Sequence, residues 1–481
     1  MTAEDLTVPQ LLGLAVAIMA VGFAAGLWVQ RLTGWGPAGG LALLVATPLV
    51  PHVPVVGGLS LDDLLPLLGI GFLAATVDLR RILTVKVPWL LVVGLILAIA
   101  AGIVSSIVNA TSVSDAIVML MRSPGRYAYL AVIVALVALA EPVDRRRQLV
   151  ARGMALLGTT EAIVGLAAFF LPLGGLALEP TRKFSVLYFE VPGRIAGTLG
   201  ISPNFLGAIF ILTIIVTAGL AIEARERRER ILWWAAALVQ SLALTLTFTR
   251  ASLGLMLVGL FVLLLVRGRL RYLVPVLLVV ALGFLSTPTR AADPGGANAG
   301  SPLAGAPVGV QRLTDDVPDR LALWYSATLM MLDHPVAGVG PGRMVVVEQA
   351  DPMRYVHTPV GGALNNAHNT VLLAGAELGV VGAIGAFLVN LALALAALRV
   401  VVGRRRLEFG VVETAGAIAV LGYLAQGMVN NLFNVAAAGV VFAVMAGAYA
   451  IRLEAAPSAQ STLDDVQRQR APTGPRLEET V

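Results

Sequence analysis

The feature that most constrains this chain is a repeated one. Apolar runs of roughly 17–25 residues are set apart by short links rich in arginine or in glycine and proline. Wound as helices rising ~1.5 Å per residue, such runs match a bilayer core of ~30 Å. Candidate spans fall near residues 9–30, 37–55, 62–79, 87–109, 127–141, 149–173, 202–222, 231–249, 251–267, 272–287, 368–400, 411–430 and 433–451. The expected fold is an all-α polytopic membrane protein with about 12–13 transmembrane helices and a long, partly helical extracytoplasmic loop.

Composition narrows the chemistry. Apolar residues make up 58% of the 481 and charged residues 13%, too few charges for several soluble domains. There is no cysteine, which excludes disulfides, thiolate catalysis and cysteine-ligated metal. The net charge of +5 is no nucleic-acid signature, because the basic residues cluster at helix ends. Of the 34 basic residues only Lys86 and Lys183 are lysine. The N-terminus MTAEDLTVPQ lacks a basic region and does not read as a cleaved signal peptide.

Arginine bias sets the expected orientation. The links at 78–81, 144–147, 223–230, 267–271 and 404–406 should be cytoplasmic, which puts 110–126, 174–201, 288–367, 430–433 and the turn at Arg250 on the opposite face. The chain then divides into N-terminal spans (1–148), central spans with arginine motifs (149–287), an extracytoplasmic loop (288–367), C-terminal spans (368–455) and a polar cytoplasmic tail (456–481). The loop is too long for a connector. It opens with a Gly/Pro/Ala tract, and from Pro318-Asp319-Arg320 shows an amphipathic helical pattern through Trp324 and Leu332.

The loop runs into NNAHNTVLLAGAELGVVG, where His368 and Asn369 head an apolar helix. Helical steps from His368 land on Leu372, Gly375, Gly379 and Gly382, a glycine stripe that another helix can approach closely. The same geometry turns Glu377 half a turn away from the imidazole. His368 reads either as an active-site group or as a boundary histidine bonded to a backbone carbonyl. Arg250 sits in a turn pinned between two spans, as a fixed cation for phosphate or as a snorkelling arginine paired with an acid such as Glu161. Arg194, beside the Pro203-Asn204 helix start, and Arg320 divide between phosphate binding and surface roles; Arg182, Arg343 and Arg354 share their face. His334 precedes Pro335 at a helix end, where a cap role competes with binding. The spacing of His334, His357 and His368 matches no zinc pattern, so neither metal nor cofactor is expected.

Four stretches in order, GRIAGTLGISPNFLG, TFTRASLG, DRLALWYSATLMMLDHPVAGVGPG and HNTVLLAGAELGVVG, resemble the successive motifs of bacterial O-antigen ligases and polymerases. The last carries the ligase-type pattern at His368, Asn369, Gly379 and Gly382. The resemblance covers roughly residues 150–430; the first 140 match only in being membrane helices. It implies a metal-independent, inverting glycosyltransferase, similar to the GT-C-like membrane enzymes with lipid-linked donors. The glycan would pass from undecaprenyl diphosphate to an acceptor hydroxyl of a glycan, glycolipid or protein, at the outer face of the cytoplasmic membrane and amid membrane lipids. The family's arginines carry over to Arg250 and Arg320, less firmly to Arg194, and its histidine to His368. Asn369 and Trp324 would orient sugars, with Asn204 and His334 as further binding candidates. A polymerase, a protein O-oligosaccharyltransferase and, in another class, a polysaccharide transporter or flippase are the alternatives; no paired repeats support the last.

Overall fold

The computed structural model describes residues 8–50, 54–56, 59–78, 85–140, 142–170, 195, 203–286, 317–357, 367–402, 409–432, 436–451 and 454–455. Arg182, Arg194, the 288–316 tract and the C-terminal tail lie outside the described residues.

The chain is an all-α polytopic membrane protein. In order come α1 (Val8–Thr33), α2 (Pro37–Ala46), α3 (Leu61–Thr76), α4 (Trp89–Asn109), α5 (Val113–Arg122), α6 (Pro124–Leu139), α7 (Val143–Phe170) and α8 (Pro203–Glu223). There follow α9 (Arg227–Leu246), α10 (Arg250–Val266), α11 (Leu273–Leu285), α12 (Val317–Asp333), the short α13 (Met344–Ala350) and α14 (Pro352–Tyr355), α15 (Thr370–Val402), α16 (Val411–Gly427) and α17 (Ala436–Met445). A π-helical turn over Ala446–Ala450 extends α17. Two minimal antiparallel ladders pair Pro54–Val56 with Leu59–Ser60 and Val85–Lys86 with Glu454–Ala455. Among the described residues, six helices are long and apolar enough to cross a membrane, and six shorter apolar helices accompany them.

Helix α8 is the hub. It is apolar all round, the pattern of a helix that meets protein on every side, and nearly all of it from Leu206 to Ala221 is buried. Helices α7, α9, α10 and α16 pack around it. On the far side of α16 lies α15, which packs along α4. There two glycines set the spacing: a Cβ on Gly385 would lie 2.5 Å from the Ala98 backbone nitrogen, and one on Gly94 2.8 Å from that of Val389.

The two ends of the bundle differ. At one end Arg147 pairs with Glu413 at 3.0 Å, Gln148 bonds Glu223, and the Arg267 guanidinium holds the Phe409 and Gly410 carbonyls. This end gathers arginine-rich links. The opposite end gathers the start of α6, the starts of α8, α10 and α15, and the end of α16, because each of these helices runs the length of the bundle from or to that face. The segment 110–126, expected from sequence on the face opposite the arginine-rich links, is helical over α5 and into α6.

The glycine stripe expected below His368 does not form. Asn369 caps α15 from outside, so His368 precedes the helix, and the helix breaks at Gly379 (φ 78°, ψ −173°). The break releases carbonyls that residues 335–340 take over. Val339 N–H donates to Ala376 O (2.8 Å), Gly340 N–H to Glu377 O (3.1 Å), and Val380 N–H turns to Pro335 O (2.9 Å). Ser105 Oγ adds a bond from α4 to Glu377 O at 2.7 Å. Only glycine adopts that backbone readily, and a Cβ at Gly379 would lie 2.5 Å from Pro335 O. Gly379→Ala is therefore expected to cost roughly 1–3 kcal/mol of strain and to displace residues 335–336. A lowered thermal unfolding midpoint of the detergent-solubilised protein checks this; an unchanged midpoint counts against it.

Candidate functional site

The site is organised by the turn that ends α16. Gly427 stops the helix, and the N–H groups of Met428, Val429 and Asn430 fold back onto Ala425 and Gln426 carbonyls. That leaves the next carbonyls without helical partners. Side chains from elsewhere take them one by one. Thr370 Oγ donates to Gly427 O (3.0 Å), Asn369 Nδ2 to Met428 O (2.9 Å), and the Arg320 guanidinium to Val429 O. Asn430 completes the series, its Oδ1 lying 3.3 Å from His368 Nδ1. Four consecutive turn residues are thus gripped by side chains of α12 and of the α15 entry.

With Asn430 presenting its oxygen, Nδ1 of His368 carries the proton and donates, which leaves Nε2 with a lone pair. His368 holds this pose at φ 46°, in the left-handed region that L-residues rarely occupy. Asn369 has two duties: its Oδ1 accepts from the Val371 and Leu372 N–H groups, both at 3.0 Å, and so starts the helix.

The second non-glycine residue at positive φ among the described residues is Phe248, at φ 51°, in the turn before Arg250. That turn is pinned by hydroxyls, with Thr247 Oγ and Thr249 Oγ 3.0 Å apart. Thr249 Oγ donates to Pro203 O (3.2 Å) and lies 3.4 Å from Asn204 Oδ1, which ties the start of α10 to that of α8. Thr249 gives no side-chain cap, so Arg250 begins a helix whose first N–H groups also favour an anion. Ile195, the neighbour of Arg194, is buried and donates its N–H to Leu246 O at 3.1 Å. Two clusters result, His368–Asn369–Arg320 around the α16 turn and Arg250–Asn204 at the α8/α10 starts. Both sit at the end of the bundle opposite the arginine-rich links.

Trp324 Nε1 is buried without a hydrogen-bond partner, as are Asn430 Nδ2, Asn431 Nδ2 and both polar atoms of Gln426. Buried donors in that state are expensive unless a ligand meets them. Asn430, Asn431, Gln426 and Thr370 were missed from the sequence, where the one available signal was a tandem asparagine at the end of an apolar span. Arg122 and Arg126 were missed as well. They stand with Ser123, Thr370, Glu377 and Asn431 at the polar end of an apolar cavity between α4, α6, α15 and α17.

His334 is exposed at the end of α12, where its backbone N–H bonds Met330 O, and no described hydrogen bond ties it to the turn. Its neighbour Asp333 receives Arg354 Nε and the Tyr355 hydroxyl, both at 2.7 Å. These bonds, Arg354 first, hold the Asp333 carboxyl down at about 2. A depressed acid stabilises above its unfolded value near ~3.9 and loses that contribution as pH falls through its folded one. The α12–α14 contact is therefore expected to hold steady above about pH 5 and to loosen between about pH 4 and 2. Hydrogen exchange of residues 344–356 reads this, and Asp333→Asn should remove the pH dependence. His357 Nε2 lies 2.8 Å from Arg354 O, and among the described residues no three histidine or acidic side chains converge as a metal cluster.

The family model described as O-antigen ligase matches residues 235–387. No curated protein matches the chain. The matched segment contains Arg250, Arg320, Trp324, His334, His368 and Asn369, and stops short of the α16 turn.

Proposed function

We propose, from the premise that this chain is a member of the O-antigen ligase family, that it moves a glycan from an undecaprenyl-diphosphate carrier to an acceptor hydroxyl. The reaction takes place at the outer face of the cytoplasmic membrane, inverts the anomeric centre and needs no metal or cofactor. The observation that supports the reading is the grip on residues 427–430, beside which His368 meets Asn430 through Nδ1, in the tautomer whose Nε2 can accept a proton.

The acceptor oxygen attacks the anomeric carbon as its proton passes to His368 Nε2. The bond from that carbon to the diphosphate oxygen breaks, and the electron pair leaves with the diphosphate. A leaving group of that kind needs fixed positive charge rather than a proton donor. Arg250 with the first turn of α10 supplies it, joined by Arg320 and, by its place in the chain, Arg194. The unpartnered donors of Trp324, Asn430 and Gln426 suit the hydroxyls of a sugar. The acceptor is a lipid-anchored glycan, another glycan or a protein hydroxyl.

Deleting the gene tests the reading: polymerised glycan stranded on the carrier is the expected result, whereas single repeat units would mean a polymerase. Transfer by the purified protein is expected to persist in excess chelator. Loss restored by an added divalent metal would overturn the metal-free reading.

A further inference from the structure

The cavity between α4, α6, α15 and α17 holds about 290 Å³. Its two ends are unlike. At the end shared with the α16 turn stand Arg122, Ser123, Arg126, Thr370, Glu377 and Asn431; the rest is lined mainly by apolar side chains such as Leu91, Leu139 and Leu393, with Asn390 the one amide among them. From Ser123 to Leu139 along α6 the slot is roughly 24 Å long at ~1.5 Å per residue, which makes it one chain wide. An extended fatty-acyl chain fills such a slot, whereas a polyprenyl carrier is far too long.

Charge at the mouth agrees with a lipid bearing a single phosphate. Arg122 and Arg126 stand there with one acid, Glu377. A second feature points to an occupant. Asn431 is 3% exposed, lines the cavity, and its Nδ2 has no hydrogen-bond partner. A phosphate oxygen beside Arg126 would meet that donor. Thr370 and Asn431 are chain neighbours of Asn369 and Asn430, so the polar end adjoins the His368 cluster. Arg250, by contrast, belongs to the α8/α10 side of α16.

We infer that this cavity seats the fatty-acyl chain of a lipid headed by one phosphate, with Arg122 and Arg126 on the phosphate, and that it serves the acceptor side of the site. The role rests on the transfer reading above; the lipid seat does not. In an inverting displacement the acceptor and the departing diphosphate lie on opposite faces of the anomeric carbon. Arg250 on one side of the α16 turn and this cavity on the other fit that requirement.

The test is native mass spectrometry of the full chain with phosphatidylglycerol as probe, against zwitterionic phosphatidylcholine, undecaprenyl diphosphate and inorganic phosphate. Retention of phosphatidylglycerol over phosphatidylcholine is expected, falling about tenfold or more in Arg122→Ala/Arg126→Ala and in Ala131→Phe, which fills the slot and leaves both arginines in place. Inorganic phosphate should compete weakly. Equal retention of the two phospholipids, or binding unchanged in both variants, overturns the seat. Undecaprenyl diphosphate displacing phosphatidylglycerol and losing affinity in the same variants would make the cavity the donor's, and overturns the proposal while leaving transfer intact. In a transfer assay the arginine variant should raise KM for a phosphate-headed lipid acceptor at unchanged donor KM.

Discussion

Replacing His368 by asparagine is expected to lower transfer by roughly 10²–10⁴-fold, the range ascribed to a positioned base, while the protein still inserts and folds. Asparagine is the sharpest substitution because it tolerates the left-handed backbone that His368 occupies at φ 46°. Its amide can also reach Asn430, so the grip on the turn should survive. What it lacks is a lone pair that accepts a proton near neutral pH. His368→Ala should be equally inactive and less stable, since it adds an empty contact at a strained position. Full activity of the asparagine variant in a purified assay with lipid-linked donor would remove His368 from the chemistry and leave it a role in building the turn.

Arg250→Ala is expected to cost on the order of 10²–10³-fold in kcat, as loss of a fixed donor to developing negative charge does. The informative comparison is Arg250→Lys. Lysine keeps the charge at the start of α10 but not the planar fork that meets two phosphate oxygens together. Most of the activity should be lost in this variant too, with KM for the donor rising less than kcat falls. An active lysine variant would show that helix N-terminus and point charge suffice.

Much of this was legible in the sequence. Apolar run length gave the membrane helices, and arginine bias sorted the two ends of the bundle. His368, Asn369 and Arg320 could be singled out because ionisable and amide groups beside apolar spans are costly without a task. Their convergence could not be read, because the turn that unites them lies about sixty residues downstream of His368 and presents mainly backbone carbonyls. Backbone groups carry no sequence signature. The glycine stripe misled for a related reason: helical periodicity assumes an unbroken helix, and Gly379 is a glycine because the helix breaks there. Arg122 and Arg126 escaped notice because a short link with arginines reads as a surface connector until α5 and α6 are seen to fold it against α15.

The grip on the α16 turn also bears on how the protein is made. Arg320, His368, Asn369 and Thr370 all precede the residues they hold at 427–430. During synthesis the gripping side chains therefore emerge first, and their bonds to the turn form only when the end of α16 arrives. The clasp of residues 335–340 on α15 closes earlier and needs nothing beyond Val380. Assembly thus has a direction: scaffold first, site last, with one of the final membrane segments of the nascent chain acting as the keystone.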